Sequence, residues 1–168
     1  MKTKVFAVVA VAMGVVFLSG NAVMATPPVG LTAKVLAKGT LAKPVEIEAL
    51  GVQFSTEGAT DVYVQQVDFA PGGNSGWHEH PGLVLIAVAS GAVIATTGCQ
   101  AGHLYSAGQS FVEPPLTPIL VANASSTSPA QNFATLVVPA GRAPRIELPG
   151  APNCSAKESD EEEGSLTR

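Results

Sequence analysis

The chain has 168 residues, carries a net charge of −4 at pH 7 and is 46% hydrophobic. This length accommodates one ordinary domain with a hydrophobic core, and the acidic balance offers no basic patch of the kind that nucleic-acid binding requires. We therefore expect a single globular domain and no nucleic-acid partner.

The first 25 residues have the organisation of a secretory signal peptide. Lys2 and Lys4 form a positive n-region, residues 5–18 are apolar, and small residues lead to Ala25. The apolar run is short for a membrane span and two prolines follow Ala25 closely, although an uncleaved anchor is the alternative. We predict cleavage after Ala25, export to the periplasm or the extracellular space, and no membrane association of the mature chain.

Composition divides the remaining chain into a domain and a tail. Residues 26–154 are expected to form one domain. Residues 155–168 carry five acidic and two basic residues with almost no apolar ones, which predicts a disordered acidic tail. A solubilising role for this tail is the simpler interpretation, and a docking element is the alternative.

The chain has two cysteines, Cys99 and Cys154, both in polar turn contexts. In an exported protein such a pair predicts a disulfide bond. It would close a loop of about 55 residues and contribute roughly 4 kcal/mol to stability. A redox or metal-binding pair is less consistent with the sequence, because CxxC spacing is absent.

Short apolar stretches separated by glycine and proline turns run through residues 26–154 and predict an all-β domain. The expected strands cover residues 31–38, 45–50, 60–69, 83–89, 92–97, 104–105, 111–112, 117–122 and 133–138. Residues 83–89 are apolar at every position, which suggests burial on both faces, and residues 92–97 should pair back on them. A turn is expected over residues 70–74. The pattern alone also allows an immunoglobulin-like sandwich or a lipocalin-like barrel.

Two histidines follow this turn in the segment GWHEHPG. On a strand, His78 and His80 point to the same face and Glu79 to the other. Imidazoles that converge in this way suit a transition metal, but a stable site needs a third protein ligand. His103, Glu113 and Gln109 are the candidates. Asp61 and Asp68 are expected to be ordinary turn or surface residues.

Two glycine-bounded segments resemble the two motifs of the cupin superfamily. The matching positions are Gly72, His78, His80 and Gly91 in the first motif, and Gly108, Pro114, Pro115 and Asn123 in the second. Val84 stands where the first motif has its metal-binding Glu, and Ile119 stands where the second has its His. The resemblance implies a double-stranded β-helix, that is, a jelly-roll cupin barrel.

Further features are similar to small exported cupin-domain proteins of bacteria. These are the opening Thr26-Pro27-Pro28, the GWHEHPG segment and the closing Pro152-Asn153-Cys154. On this basis the resemblance covers nearly all of residues 26–154. It implies the fold and allows a homodimer, but it defines no reaction.

Three functions stay open. Our working prediction is an exported module that binds a small apolar ligand with weak or absent metal binding, in a pocket lined by Trp77, Val84, Tyr105 and Ile119. The alternative is a metal-dependent enzyme of the dioxygenase or isomerase type, which would hold a divalent transition metal on His78, His80 and an atypical third ligand. The third is an interaction protein that uses its sheet surface and acidic tail.

Overall fold

The computed structural model describes residues 25–154. The predicted acidic tail and all but the last residue of the predicted signal peptide lie outside this range. Residues 25–154 contain twelve β-strands and no α-helix. Within them, no helix has the length and apolar character needed to cross a membrane.

The strands follow one another at short intervals, as the spacing of turn residues predicts. They are β1 (Val29–Leu41), β2 (Val45–Ala49), β3 (Val52–Thr56), β4 (Thr60–Asn74), β5 (His78–Glu79), β6 (Leu83–Ser90), β7 (Ala92–Thr97), β8 (His103–Ser106), β9 (Ser110–Glu113), β10 (Ile119–Asn123), β11 (Ala130–Pro139) and β12 (Ile146–Glu147).

Ten of the strands form one antiparallel sheet, and β2 with β3 form a separate hairpin. One wall contains β1, β4, β11, β6 and β9, and the other contains β12, β5, β10, β7 and β8. The long strand β4 connects the walls, because its body pairs with β1 and β11 while Asn74 at its end pairs with Ala122 of β10. The sheet curls into a nearly closed barrel, which confirms the predicted all-β jelly roll.

The inner face of this barrel is built from alternating apolar side chains. In β11 every second residue from Ala130 to Val138 is buried, and in β6 the buried residues are Val84, Ile86 and Val88. Removal of these side chains from water supplies the main driving force for folding. The prediction that β6 is buried on both faces is wrong, because Leu85 is 46% exposed on the outer side.

The chain differs from the predicted layout at the turns. Residues 70–74 continue β4 instead of forming a turn, and the positive φ of 69° at Gly72 accommodates the irregular path. Strand β7 does not pair with β6 but with β8 and β10. Gly91, at φ 70°, redirects the chain into the opposite wall. Local sequence cannot distinguish this crossover from a hairpin, since both need the same turn residue.

The predicted disulfide between Cys99 and Cys154 is present, with the two Cα atoms 5.5 Å apart. It ties the end of the domain to the turn that follows β7.

Candidate metal and ligand site

The barrel encloses a cavity of about 370 Å³ whose wall is mostly hydrocarbon. A small number of polar groups face it, as is usual for sites that bind small molecules. The polar lining residues are Gln65, Ser75, His78, His80, Glu113, Asn132, Arg145 and Glu147.

The two histidines are oriented by hydrogen bonds to backbone carbonyls. His78 Nδ1 lies 3.0 Å from Gly76 O, and His80 Nδ1 lies 2.5 Å from Pro144 O. Because a carbonyl oxygen can only accept, each Nδ1 carries a proton, so Nε2 is the acceptor nitrogen of each ring when that ring is neutral. Metal-binding histidines in proteins are commonly held by such outer contacts.

Glu113 is brought to the histidines by strand pairing. It ends β9 directly opposite Val84 of β6, and it is only 4% exposed. Its Oε2 lies 3.0 Å from Nε2 of His80 and 3.9 Å from Nε2 of His78. Val84 occupies the position of the motif Glu, so the neighbouring strand supplies a carboxylate at the same level of the barrel. The β6–β9 register, which the sequence does not reveal, is what singles out Glu113 among the three candidates.

These three residues form a group whose ligand atoms all lie within 4.8 Å of one another. Burial, and next the positive charge of Arg145, lower the pKa of His78 from 6.5 to about 4. His78 is therefore neutral at pH 7, as a metal ligand must be. Two imidazole nitrogens and one carboxylate oxygen match the donor set of divalent transition metals. The residues present therefore fit such an ion.

A C-terminal segment supplies Pro144, Arg145 and Glu147 to the cavity lining. In this segment Arg145 donates from Nη2 to Ser75 O over 2.5 Å and pairs with Glu147, and Glu147 lies opposite His78 in the β5–β12 pair. Arg145 is the one cationic side chain in the cavity lining of residues 25–154. Sequence reasoning missed it, because it is 70 positions away from Ser75 and belongs to no recognisable motif.

The other candidate ligands lie away from the histidine pair. His103 is exposed on β8, where its ring lies 4.7 Å from that of Tyr105. Tyr105 stacks on Phe111 at 4.5 Å and is not in the cavity lining. Gln109 accepts a hydrogen bond at Oε1 from Ser106 N in its own turn.

The remaining predicted pocket residues take different places. Val84 lines the cavity, whereas Ile119 is fully buried in the core opposite His78 and is not in the lining. Trp77 is half-buried outside the lining, and its backbone N–H donates to Thr26 Oγ1 over 2.9 Å. The N-terminal segment therefore packs beside the histidine strand.

Comparisons with known proteins agree with this architecture. A family model described as the cupin domain matches residues 65–138. None of the curated proteins matches the chain in sequence.

Several solved structures resemble the chain at low identity. A cupin-2 domain protein from Rhodospirillum rubrum is 16% identical with a TM-score of 0.50, and the alignment covers 76% of this chain and 68% of that protein. A cupin-like protein from Thermotoga maritima is 21% identical with a TM-score of 0.48, covering 54% and 65% of the two chains. An oxalate oxidase is 22% identical with a TM-score of 0.45, and this chain spans 45% of its length.

At sequence identities of 16–22%, the structural similarity shows a shared fold and nothing further. The family match shows a cupin domain over residues 65–138, and the jelly-roll topology agrees with it.

Proposed function

We propose that this cupin is a metal-dependent enzyme that acts on a small molecule, with His78, His80 and Glu113 as the ligands of a divalent transition metal. The observation that carries the proposal is the convergence of two Nε2 atoms and one carboxylate oxygen within 4.8 Å. Our working prediction favoured weak or absent metal binding because the two usual ligand positions are hydrocarbon. Glu113 removes the reason for that preference.

The arrangement of protons supports a bound cation. With each Nδ1 proton donated to a carbonyl, all three converging atoms are hydrogen-bond acceptors. Acceptors in an apolar cavity repel one another unless a positive charge lies among them. A proton on His80 would satisfy only the 3.0 Å contact to Glu113, whereas a metal ion satisfies all three groups.

A metal at this position would supply Lewis-acid or oxygen-activating chemistry. The chain itself contributes the surroundings of the reaction. The cavity wall is mostly hydrocarbon, and the guanidinium of Arg145 in its lining is placed to attract and orient an anionic group of the substrate. Glu147 holds that guanidinium in place through a short ion pair.

Metal content tests the proposal most directly. The purified protein, without a histidine tag, is dialysed against a weak chelator, and metal per chain is measured by plasma mass spectrometry. We expect close to one equivalent of Fe, Mn, Ni, Cu or Zn in the wild type and in the matched controls His103→Ala and Glu79→Gln. We expect metal to be lost from His78→Ala and Glu113→Gln. A wild type that retains no metal, or a Glu113→Gln variant that retains all of it, would contradict the proposal.

A metal-free ligand-binding module is the second candidate. The 3.0 Å contact between His80 and Glu113 favours it, since a protonated His80 would form a buried ion pair with the carboxylate. This candidate predicts a metal-free wild type in the same experiment. The interaction-protein hypothesis and the homodimer stay predictions.

We also propose that the chain is exported. A disulfide bond is typical of oxidising compartments, and the Cys99–Cys154 bond supports this location. N-terminal sequencing of the protein recovered from an exporting bacterial host should give Thr26 as the first residue. Recovery of the unprocessed chain from the cytoplasm would contradict export.

A further inference from the structure

Asn132 is an unusual residue in the barrel interior. It lies on the inward face of β11, is 2% exposed and lines the cavity. Its Oδ1 has no hydrogen-bond partner, and among residues 25–154 it is the only buried side-chain nitrogen or oxygen atom in that condition. Burial of an unpaired amide oxygen is costly, and native proteins rarely tolerate it without a functional reason.

The residues paired with Asn132 do not offer its side chain a partner. Its neighbours on the two adjacent strands are Val67 of β4 and Val88 of β6, both hydrocarbon. The ladder between β11 and β6 shifts register between Gln131 and Asn132. Irregularities of this kind re-aim a side chain, and they are frequent beside binding sites.

Asn123 shows how a structural asparagine behaves in the same protein. Its Nδ2 donates to Ala70 O over 2.9 Å and to Ser128 O over 2.8 Å, and its Oδ1 accepts from Ser125 N over 2.9 Å. Asn123 therefore fastens a loop with every polar atom used. Nothing comparable accounts for Asn132.

Asn132 also lies at a different level of the cavity from the three candidate metal ligands. Glu113 pairs with Val84, and Val84 pairs with Leu136, which is four residues along β11 from Asn132. At the rise of a β-strand these levels are roughly 13 Å apart. The wall between them carries Ile86 and the small side chain of Ala134, both facing the cavity.

We propose that Asn132 is a specificity-determining residue whose side-chain amide forms a hydrogen bond with a hydroxyl or amino group at the far end of an elongated, mostly apolar ligand. The other end of that ligand lies beside His78, His80 and Glu113. This orientation of the ligand rests on the proposed function, whereas its contact with Asn132 does not. A cavity of about 370 Å³ suits a ligand of metabolite size. A buried amide without a partner of its own discriminates against an analogue that lacks the matching polar group.

The test uses a pair of probes that differ in one terminal donor, 3-(4-hydroxyphenyl)propanoate and 3-phenylpropanoate. Their binding to the wild type is measured by calorimetry, with and without added metal. We expect the hydroxylated probe to bind at least about tenfold more tightly. In Asn132→Leu this preference should disappear while the metal content stays that of the wild type. Equal binding of the two probes to the wild type, or no binding of the hydroxylated probe at millimolar concentration, would overturn the proposal.

Stability provides an independent readout. Asn132→Leu removes an unpaired polar atom from the interior, so its Tm should equal or exceed that of the wild type. Asn123→Leu is the matched control and should lower the Tm, because it breaks three hydrogen bonds. A similar loss of Tm in both variants would assign Asn132 a structural role and overturn the proposal. A purified wild type that retains no metal but still discriminates between the probes would refute the metal proposal and leave the assignment of Asn132 intact.

Discussion

The barrel contains two buried carboxylates with opposite surroundings. Asp61, 3% exposed, accepts hydrogen bonds from Thr40 Oγ1 over 2.6 Å and Gly141 N over 3.2 Å, and it pairs with Lys38 over 3.0 Å. Glu113, 4% exposed, faces only the two site imidazoles within the described chain. Asp61 thus has a cationic side chain as a partner, whereas Glu113 contacts only the two imidazoles among the described residues. The interpretation of Asp61 as an ordinary turn or surface residue is wrong.

The same contrast separates the two buried asparagines, Asn123 and Asn132. In each pair, the residue with all its partners present holds the fold together. The residue without them faces the cavity, where a bound group can complete its contacts. Buried polar groups that the chain leaves unpaired are therefore the best guide to function in this barrel.

Both carboxylate environments depend on the C-terminal segment, which the disulfide tethers. Gly141 N contacts Asp61, and Pro144 O contacts His80. Replacing Cys99 and Cys154 together with serine is expected to have the largest effect, lowering the free energy of unfolding by about 4 kcal/mol. Chemical denaturation measures this loss, and reduction of the wild type is the matched control. A change below about 1 kcal/mol would show that packing alone holds the segment.

Replacing each carboxylate by an amide separates the proposed metal-binding role of Glu113 from the structural role of Asp61. Glu113→Gln is expected to weaken metal binding at least about 100-fold, since a lost ligand should cost no less than a lost outer contact. The unfolding free energy of its metal-free form should equal or exceed that of the wild type, because the substitution removes a carboxylate charge from a mostly apolar cavity. Asp61→Asn should lower stability and leave metal affinity unchanged. Calorimetric metal titration gives the metal affinity of both variants, and denaturation gives their stability. Loss of metal affinity in Asp61→Asn, together with loss of stability alone in Glu113→Gln, would contradict the contrast between the two carboxylates.

Gly76 connects the histidine strand to the N-terminal segment. Its φ is 64°, and an added Cβ would lie 2.0 Å from Thr26 O. Gly76→Ala is expected to lower the unfolding free energy by about 1–3 kcal/mol and to weaken metal binding, because Gly76 O orients His78. Gly58→Ala is the control, since a Cβ there meets open space. Equal stability of the two variants would contradict this expectation and would mean that the N-terminal segment can shift to accommodate the added Cβ.

The smallest expected effect is a dependence of stability on pH. Hydrogen bonds from Thr40 and then Lys38 lower the pKa of Asp61 from 3.8 to about 2. The contribution of Asp61 is therefore fully present above pH 3.8 and is lost as the pH falls through about 2. Asp61→Asn should flatten the fall in stability over this window. Acid titration followed by circular dichroism tests this, and an unchanged slope would show that Asp61 does not hold its charge in the folded state.

The sequence by itself determined the strand content, the jelly-roll class, the disulfide and the histidine pair. The strand content, the disulfide and the histidine pair follow from local signals, namely alternation, turn residues, the number of cysteines and the spacing of His78 and His80. The jelly-roll class follows from the resemblance to the two cupin motifs, since the local pattern alone also allowed other β folds. The motif positions Val84 and Ile119 were correctly read as hydrocarbon. From the sequence alone they suggested an incomplete metal site.

Only the tertiary structure decided which side chains lie beside the histidine pair. Glu113 reaches the histidines because β9 pairs with β6 in a register that sets it opposite Val84, and Arg145 arrives through the β5–β12 pair. The isolation of Asn132 likewise depends on which side chains the neighbouring strands present. Strand register fixes the surroundings of Glu113, Arg145 and Asn132. Register arises from packing across the whole barrel, and the linear sequence pattern does not contain that information.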